Sequence, residues 1–464
     1  MSNTAQSLAS KRIEALLDEN SFVEIGALVT ARSTDFNMQE KETPSDGVIT
    51  GYGVIDGNLV YVYSQDASVL NGTLGEMHAK KITKLYDLAL KMGAPVIGLI
   101  DCAGVRLQEA TDALNGFGEI YRTQALASGV IPQITGIFGT CGGGLAVVPA
   151  LTDFTFMEEA KAKLFVNSPN AIEGNEVSKC NSASAKFQAE EAGLVDVVAD
   201  EAGVLAQIRQ LVTMLPANNE DDASYEECMD DLNRVCADLG EVVYEAPYVL
   251  SSISDGNVFF ETKAEYAKDM VTGFIKLNGM TVGAVANNDQ ELSARGANKA
   301  AGFVKFCDAF NIPVLSLTHV TGYKATMCSE RNLAKAVAEL TYAFANATVP
   351  KVNVITGPAY GSAYVAMNSK GVGADVVYAW TSAQIGMMDA KLAAKIMYAD
   401  ADAATQKEKA AEYAALQSSA EAAARRGYVD SIIEAKDTRK YVIGAFEMLF
   451  TKREDRPAKK HGTV

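Results

Sequence analysis

The apolar residues of this chain fall into short runs of strand length that alternate with stretches of helical periodicity. Hairpins are predicted where β-branched and aromatic runs flank Asp56-Gly57, in residues 46–64, and Asn278-Gly279, in residues 271–285. Further strands are predicted at residues 95–101, 153–157, 164–167, 194–198, 312–319, 352–356, 375–379, 384–388 and 429–433. Helices are predicted at residues 9–17, 74–92, 113–128, 183–192, 296–310, 333–346, 403–426 and 438–449. This alternation predicts an α/β layered fold.

The strongest local pattern is an apolar strand in residues 131–145 that ends in Gly142, Gly143 and Gly144. A similar stretch, residues 349–363, contains Gly361 at the position of Gly143. The two glycines lie 218 residues apart, and the Ala-Pro-Val of residues 94–96 and the Ile-Pro-Val of residues 312–314 share that offset. One offset at two landmarks indicates an internal duplication. An acidic stretch between residues 216 and 240 separates the halves, which predicts domains at residues 1–238 and 239–464.

Net charge, cysteine spacing and the length of apolar runs limit the partners and the cellular compartment expected for this chain. The net charge of −17 argues against a nucleic-acid partner, which favours a basic face. The seven cysteines are scattered without a C-x-x-C pair, and the N-terminus lacks a secretion signal, so a reducing cytoplasm is expected. No uncharged apolar run reaches the ~18 residues of a membrane span, so membrane association is expected only through another subunit.

Side chains with familiar catalytic patterns are few. The sequence contains no dinucleotide-binding or P-loop glycine motif and no G-x-S-x-G nucleophile elbow. The three histidines, His78, His319 and His461, are too far apart for a metal motif, and surface or hydrogen-bonded structural roles are expected for them. No metal is therefore expected.

The two glycine loops offer backbone chemistry instead. Each precedes a predicted helix, whose first N–H groups lack intrahelical acceptors and point toward an electron-rich group. A pair of such loops suits a reaction in which two carbonyl oxygens gain negative charge. Tight strand-to-helix packing explains the glycines equally well, because a duplicated scaffold also duplicates packing glycines.

Longer stretches carry a family resemblance. They include RIEALLDENSFVEIG at residues 12–26, LGEMHAKKITKLYDLALKMGAPVIGLID at residues 74–101, KAAGFVKFCDAFNIPV at residues 299–314 and AYVAMNSKGVGADVVYAW at residues 363–380. Together with shorter matches as far as the terminal KKHG, the chain resembles the carboxyltransferase (β) subunit of biotin-dependent acyl-CoA carboxylases, in the crotonase superfamily. The resemblance implies two tandem crotonase-type domains of spiralled ββα units. It also implies carboxyl transfer between carboxybiotin and an acyl-CoA thioester through an enolate.

The resemblance implies roles for the loop residues. Gly143 and Gly144 correspond to the positions that hold the acyl-CoA oxygen, and Gly361, Ser362 and Ala363 to those that face biotin. Candidate cations for the CoA phosphates are Lys80, Lys81, Arg106 and Lys299. The alternative interpretation of each is a solvated surface charge. Val365 occupies a position that tunes acyl-chain length, and an apolar residue there favours a small acyl group.

The resemblance also implies partners. Biotin would arrive on a separate biotin carboxyl carrier protein, with a biotin carboxylase or a sodium-pumping membrane decarboxylase subunit supplying the other half-reaction. A homodimer or a trimer of dimers is expected, because the family's active site lies between subunits. The chain departs from the family at Ser362, which replaces a glycine, and in residues 318–337. Two alternatives therefore remain: the same half-reaction in reverse, in a methylmalonyl-CoA-type decarboxylase, and a catalytically decayed acyl-CoA-binding subunit.

Overall fold

A computed structural model of the protein describes residues 7–221 and 227–457. The chain divides into two units, Met1–Asp222 and Ala223–Val464, and the division falls within the acidic stretch. No helix among the described residues combines the length and apolarity needed to cross a bilayer.

The first unit contains eight strands and six α-helices in its described residues. The strands are β1 (Val23–Glu24), β2 (Val48–Ile55), β3 (Asn58–Gln65), β4 (Val96–Cys102), β5 (Gln133–Gly142), β6 (Phe154–Glu158), β7 (Lys163–Phe165) and β8 (Val197–Ala199). The helices are α1 (Leu8–Leu16), α2 (Glu76–Met92), α3 (Ala110–Ala127), α4 (Val147–Ala150), α5 (Ala185–Phe187) and α6 (Glu201–Met214). The strand order is β1-β2-β3-β4-β5-β6-β8, and β7 also pairs with β5.

The second unit repeats this plan. Its strands are β9 (Phe259–Thr262), β10 (Met270–Leu277), β11 (Met280–Asn287), β12 (Glu291–Leu292), β13 (Val314–Val320), β14 (Gly322–Tyr323), β15 (Lys351–Tyr360), β16 (Val376–Trp380), β17 (Gln384–Gly386) and β18 (Ser431–Ile433). Its helices are α7 (Ala246–Ile253), α8 (Ala294–Ala309), α9 (Met327–Glu330), α10 (Leu333–Asn346), α11 (Gly361–Ala366), α12 (Ala390–Met397), α13 (Ala403–Tyr413), α14 (Ala420–Arg425) and α15 (Thr438–Leu449). The strand order is β18-β16-β15-β13-β11-β10-β9, with β17 beside β15 and a separate β12-β14 pair.

Both predicted hairpins are present. Asp56 and Asn278 have φ values of 46° and 53°, and the glycine that follows each is also left-handed. Positive φ at both central residues gives the turn the twist of the flanking strands, and Asx-Gly pairs adopt it readily. Each hairpin is antiparallel, and so is the edge strand beside it, β1 or β9. The strands that follow β3 and β11 in the order of each long sheet join in parallel.

The duplication extends to strand register. Val96 pairs with Gln133 across β4 and β5, and Val314 pairs with Lys351 across β13 and β15, at the same 218-residue offset. The register irregularity before Cys102 recurs before Val320. A one-residue slip would turn every side chain to the other face, so this shared register fixes where both central strands end.

The predicted helix at residues 403–426 is wrong as one continuous helix. The segment comprises α13, a π-helical turn at Ala414–Ser418, and α14, whose N-cap Ser419 is extended. Ser419 accepts a hydrogen bond from the amide of Ala422 and pairs with Gln384 of β17. Alanine-rich composition favours helix throughout, but this tertiary pairing ends it at Ser419.

A buried hydrogen bond joins the last helix of the second unit to its sheet. The indole N–H of Trp380 donates to Thr438 Oγ1 at 2.9 Å, and both residues are buried. The Thr438 hydroxyl in turn donates to the Ala435 carbonyl. The sheet and α15 therefore share one satisfied polar contact inside an apolar core.

We expect Thr438→Val to destabilise the protein by about 1–3 kcal/mol, because it leaves a buried indole N–H without an acceptor. Urea unfolding of the full chain measures this loss. Thr341→Val is the matched control, since the Thr341 hydroxyl bonds only within its own helix, to Val337. Equal stability losses in the two variants would contradict the assignment.

Candidate active site

The central strand of each unit ends at a left-handed glycine. Gly143 follows β5 and Gly361 follows β15, and both have φ of +62°. An L side chain is strained at this φ, whereas glycine adopts it freely. A Cβ at Gly143 would meet no atom within 4 Å, so the glycine is required by its conformation and open space lies beside it.

A helix begins at each of these glycines. Residues Gly143–Ala146 form a 3₁₀ turn that leads into α4, and Gly361 is the first residue of α11. The first amides of a helix have no acceptor inside it. In the described residues, the N–H groups of Gly143, Gly144, Ser362 and Ala363 donate to no acceptor. Gly144 and Ser362 are exposed, so each unit presents N–H donors at its surface.

Neighbouring groups fix the first loop. The Tyr121 hydroxyl donates to the Gly144 carbonyl, and the Cys141 thiol donates to the Leu145 carbonyl at 3.6 Å. A side chain at Gly142 would come within 2.7 Å of the Phe165 ring. The loop thus has little freedom to reorient, which is the preorganisation that makes amide donors effective.

The two cysteines beside the first loop are poor nucleophiles. Burial raises the pKa of the Cys102 thiol to about 11 and that of Cys141 well above its usual range. Both thiols are therefore protonated at neutral pH and too weak to attack a carbonyl. The chemistry available at this loop is stabilisation of a developing oxyanion.

A buried charge network lies at the start of α2. Arg106 donates to Asp46 at 2.6 Å and to Glu109 at 2.7 Å, and all three side chains are buried. Glu109 also accepts the amide of Glu76 at 2.6 Å, at the start of α2. Burial raises the pKa of Asp46, and the adjacent guanidinium opposes that shift. The network ties three chain segments together.

His78 completes this network and is fully buried. Its amide donates to Asp46, its Nδ1 lies 3.0 Å from the Asp46 carbonyl, and its Nε2 lies 3.2 Å from Gln65 Nε2. Gln65 Oε1 accepts the Asp101 amide, which orients the Gln65 N–H toward the ring. The histidine is thus the neutral Nδ1–H tautomer, and burial lowers its pKa to about 3. The expectation of a hydrogen-bonded structural role is confirmed for His78.

Two predicted phosphate ligands are equivalent buried lysines, 218 residues apart. Lys81 Nζ donates to the carbonyls of Val48, at 2.5 Å, and Ser45. Lys299 Nζ donates to three carbonyls, including Met270 at 2.8 Å. Burial lowers the pKa of Lys81 to about 8. Each ammonium anchors a helix to the start of its hairpin, so a phosphate would have to displace those bonds.

The alternative that the candidate cations are solvated surface charges is wrong for Lys81, Arg106 and Lys299, which are all buried. It holds for Lys80, which is exposed and pairs with Glu76 at 2.5 Å. Val365 lies on α11 and is 44% exposed. The structure therefore brings Gly143 and Gly144 together in one loop, and Gly361, Ser362, Ala363 and Val365 on one helix.

Sequence reasoning missed Asp46 and Glu109. Asp46 and Glu109 lie in short 3₁₀ turns, which have no periodicity to mark burial. His319 is buried at the end of β13, against the edge of Tyr244, and burial lowers its pKa to about 4. His461 lies outside the described residues. Within the described ranges, no three His, Cys, Asp or Glu side chains are grouped as metal ligands.

Comparisons with known proteins identify the family. The carboxyl transferase domain model matches residues 3–464. The chain is 41% identical to the methylmalonyl-CoA decarboxylase subunit alpha of Propionigenium modestum, over 98% of this chain and 92% of the relative. It is 40% identical to the propionyl-CoA carboxylase beta chain of Roseobacter denitrificans, over 98% of this chain and 93% of the relative.

A solved structure has the same fold. Transcarboxylase 12S, a hexamer crystallised with hydrolysed methylmalonyl-coenzyme A, matches with a TM-score of 0.94 and 38% identity. The match covers 99% of this chain and 92% of that structure. The predicted crotonase-type α/β fold and the family resemblance are therefore confirmed.

The His78 environment predicts a pH dependence of stability. The folded-state pKa is about 3 against an ordinary value of 6.5, so between these values the unfolded chain binds a proton that the folded chain does not. Stability should therefore fall as pH falls below about 6.5. Urea unfolding at several pH values measures this slope.

His78→Gln removes the titrating group and serves as the comparison. Its stability deficit relative to the wild type should shrink as the pH is lowered from neutral toward 4. Parallel stability curves for the two proteins would show that His78 is not held neutral by the fold.

Proposed function

This chain belongs to the carboxyl transferase domain family, and we propose that it exchanges a carboxyl group between biotin on a carrier protein and a short acyl-CoA. Propionyl-CoA is the acceptor in one direction and methylmalonyl-CoA the donor in the other. The choice of these two esters is supported by the relatives, which include both a propionyl-CoA carboxylase and a methylmalonyl-CoA decarboxylase subunit.

The observation that carries the proposal is the pair of equivalent helix starts after β5 and β15. Removing a proton from the α-carbon of a thioester, or CO₂ from a malonyl-type thioester, places negative charge on the thioester oxygen. Amides aimed at that oxygen lower the barrier, and one such donor is worth about 10²–10³ in rate. The buried, protonated thiols beside the first loop offer no competing nucleophilic route.

We assign the first loop to the thioester and the second to biotin. Gly143 and Gly144 hold the acyl oxygen, and the amides of Ser362 and Ala363 hold the ureido oxygen of biotin. Biotin supplies the nitrogen that carries the carboxyl group. Replacement of a family glycine by Ser362 is compatible with this role, because the donor is its main-chain N–H and its side chain is exposed.

Selectivity for acyl-chain length and binding of the CoA phosphates are assigned to residues outside the two loops' main-chain donors. The exposed Val365, on the helix of the second loop, favours a small acyl group. Among the predicted phosphate ligands, Lys80 is the cation with an exposed side chain, since Lys81, Arg106 and Lys299 are bonded inside the fold. Its pairing with Glu76 is exposed and is worth roughly 0–1 kcal/mol, so a phosphate can displace it.

The working assembly needs partners. A biotin carrier protein brings biotin, and a biotin carboxylase or a membrane decarboxylase subunit completes the cycle. We propose a cytoplasmic homo-oligomer, a dimer or a trimer of dimers, as in the hexameric transcarboxylase 12S. The partner that is present sets the direction of carboxyl transfer, because carboxylation and decarboxylation pass through the same enolate.

Biotin-dependent release of CO₂ from methylmalonyl-CoA by the purified protein tests the function. The proposal expects release with methylmalonyl-CoA that requires added biotin or biotinylated carrier. A protein that binds the ester but releases no CO₂ with either form of biotin would instead be a catalytically decayed binding subunit.

A proline substitution at Ser362 tests the second loop. Proline removes the main-chain donor and is tolerated in the first turn of a helix. We expect Ser362→Pro to lower biotin-dependent CO₂ release by about 10²–10³-fold, with acyl-CoA affinity unchanged.

Ser362→Ala is the matched control, because it keeps the N–H and removes only the hydroxyl. It should retain near wild-type activity. Circular dichroism confirms that both variants are folded. Equal activity of the proline and alanine variants would refute a role for this amide.

A further inference from the structure

In each unit the last residue of the central strand pairs with a short neighbouring strand, and each pair contains one aromatic residue. Gly142 pairs with Phe165 in the first unit, and Tyr360 pairs with Gly386 in the second. Gly142 and Tyr360 share the 218-residue offset, and each immediately precedes the glycine with φ of +62°. The aromatic residue therefore comes from the short strand in the first unit and from the central strand in the second.

Tyr360 makes a hydrogen bond that a glycine cannot make. Its hydroxyl donates to Gln384 Oε1 at 2.5 Å. Gln384 lies two residues before Gly386 on β17, so the two positions share one face of the strand. Tyr360 is buried, and burial raises the pKa of its hydroxyl, with the nearby Asp389 adding to the shift. The hydroxyl is therefore protonated at neutral pH and serves as a donor.

The interruption of the alanine-rich helix holds the acceptor in place. Ser419 pairs with Gln384 in an antiparallel bridge, directly after the π-helical turn. A Cβ at Gly386 would lie 3.2 Å from Ser418 Oγ, so the turn occupies the space beside this glycine. An aromatic side chain on β17, at the position of Phe165 in the first unit, would have to displace the turn. The aromatic residue of the second unit is accordingly carried by β15.

The chain just after β17 also lies against the second loop. A Cβ at Gly361 would be 3.4 Å from the carbonyl oxygen of Met387, which is ordinary van der Waals contact. The Tyr360 hydroxyl thus bonds the strand that leads into the loop to the strand that packs beside it. A shift of β17 relative to β15 would therefore move the residue that precedes Gly361.

The first loop is restrained by a tyrosine at a different place. The Tyr121 hydroxyl, on α3, donates to the carbonyl of Gly144. The residue at the 218-residue offset from Tyr121 is Glu339, and an ionised carboxylate has no proton to donate to a carbonyl. The second loop needs another restraint, and the bond between Tyr360 and Gln384 supplies one.

We propose that Tyr360 is a positioning residue for carboxyl transfer, which keeps the amides of the second loop aimed at the ureido oxygen of biotin through its hydrogen bond to Gln384. This inference rests on the function proposed for the second loop. Main-chain donors stabilise a developing charge because they are already oriented before it forms, and a loop that reorients loses part of that effect. Tyr360 acts through the backbone and needs no contact with biotin.

Two conservative variants of the full-length protein test the hydrogen bond by kinetics. Tyr360→Phe removes the donor and keeps the ring, and Gln384→Met removes the acceptor at similar length. Each should lower kcat for biotin-dependent CO₂ release from methylmalonyl-CoA about 3–10-fold, the effect of one hydrogen bond, with KM for the ester unchanged. The double variant should lose no more than either single variant, because both changes remove the same bond. Unchanged kcat in the single variants, or losses that multiply in the double variant, would overturn the proposal.

Amide hydrogen exchange followed by mass spectrometry tests the restraint without turnover. A peptide covering residues 360–367 should exchange about 3–10-fold faster in both single variants, because opening of the second loop breaks one bond fewer. A peptide covering residues 140–150, at the first loop, should exchange as in the wild type. Equal exchange of residues 360–367 in all three proteins would overturn the proposal. Faster exchange in proteins that release no CO₂ would instead refute carboxyl transfer, so the two failures are distinguishable.

Tyr378→Phe is the matched control. Tyr378 lies on β16 of the same sheet, with its ring edge-on to Tyr441 at 5.6 Å, so removal of its hydroxyl leaves the bond between Tyr360 and Gln384 in place. It should keep the wild-type kcat and the wild-type exchange of residues 360–367. Thermal unfolding verifies that every variant is folded. Equal losses of kcat in Tyr378→Phe and Tyr360→Phe would indicate general loosening of the sheet and overturn the proposal.

Discussion

Each unit depends on the turn from its central strand into a helix at a glycine with φ of +62°. The strand register fixes where the strand ends, and a side chain at that φ would strain the backbone. Because the helix begins at the glycine, its first amides face outward with no intrahelical acceptor. In each unit the buried lysine, Lys81 or Lys299, bonds the following helix to the first strand of the hairpin.

Duplication kept this backbone geometry and changed the side chains around it. The two glycines, the buried lysines Lys81 and Lys299, and the paired register recur at one offset. The buried charge network around Arg106 belongs to the first unit, and the residue at the same offset in the second unit is Lys324. A function that uses main-chain donors tolerates such divergence, because any residue but proline supplies an N–H. The departures of this chain from its family, at Ser362 and in residues 318–337, are therefore compatible with retained carboxyl transfer.

The sequence was most informative where local chemistry decides structure. Asx-Gly turns located both hairpins, and the offset between glycine loops located both central strands. Helix α15 matches its predicted bounds of residues 438–449. It was least informative where tertiary contacts override composition, as at Ser419, where pairing with β17 interrupts an alanine-rich helix. Burial of Lys81, Arg106 and Lys299 was also missed, because a cation bonded to distant carbonyls or carboxylates has no periodic signature.

The central claim is that main-chain amides, rather than side chains, stabilise the thioester oxygen. Infrared difference spectroscopy of propionyl-CoA with a ¹³C-labelled thioester carbonyl tests it most directly. The account predicts that the carbonyl stretch moves to lower frequency on binding, and that Gly144→Pro, which removes one donor, reverses much of that shift in the bound ligand. A bound thioester whose carbonyl frequency equals that of the free ligand, or a shift unaffected by Gly144→Pro, would contradict the claim.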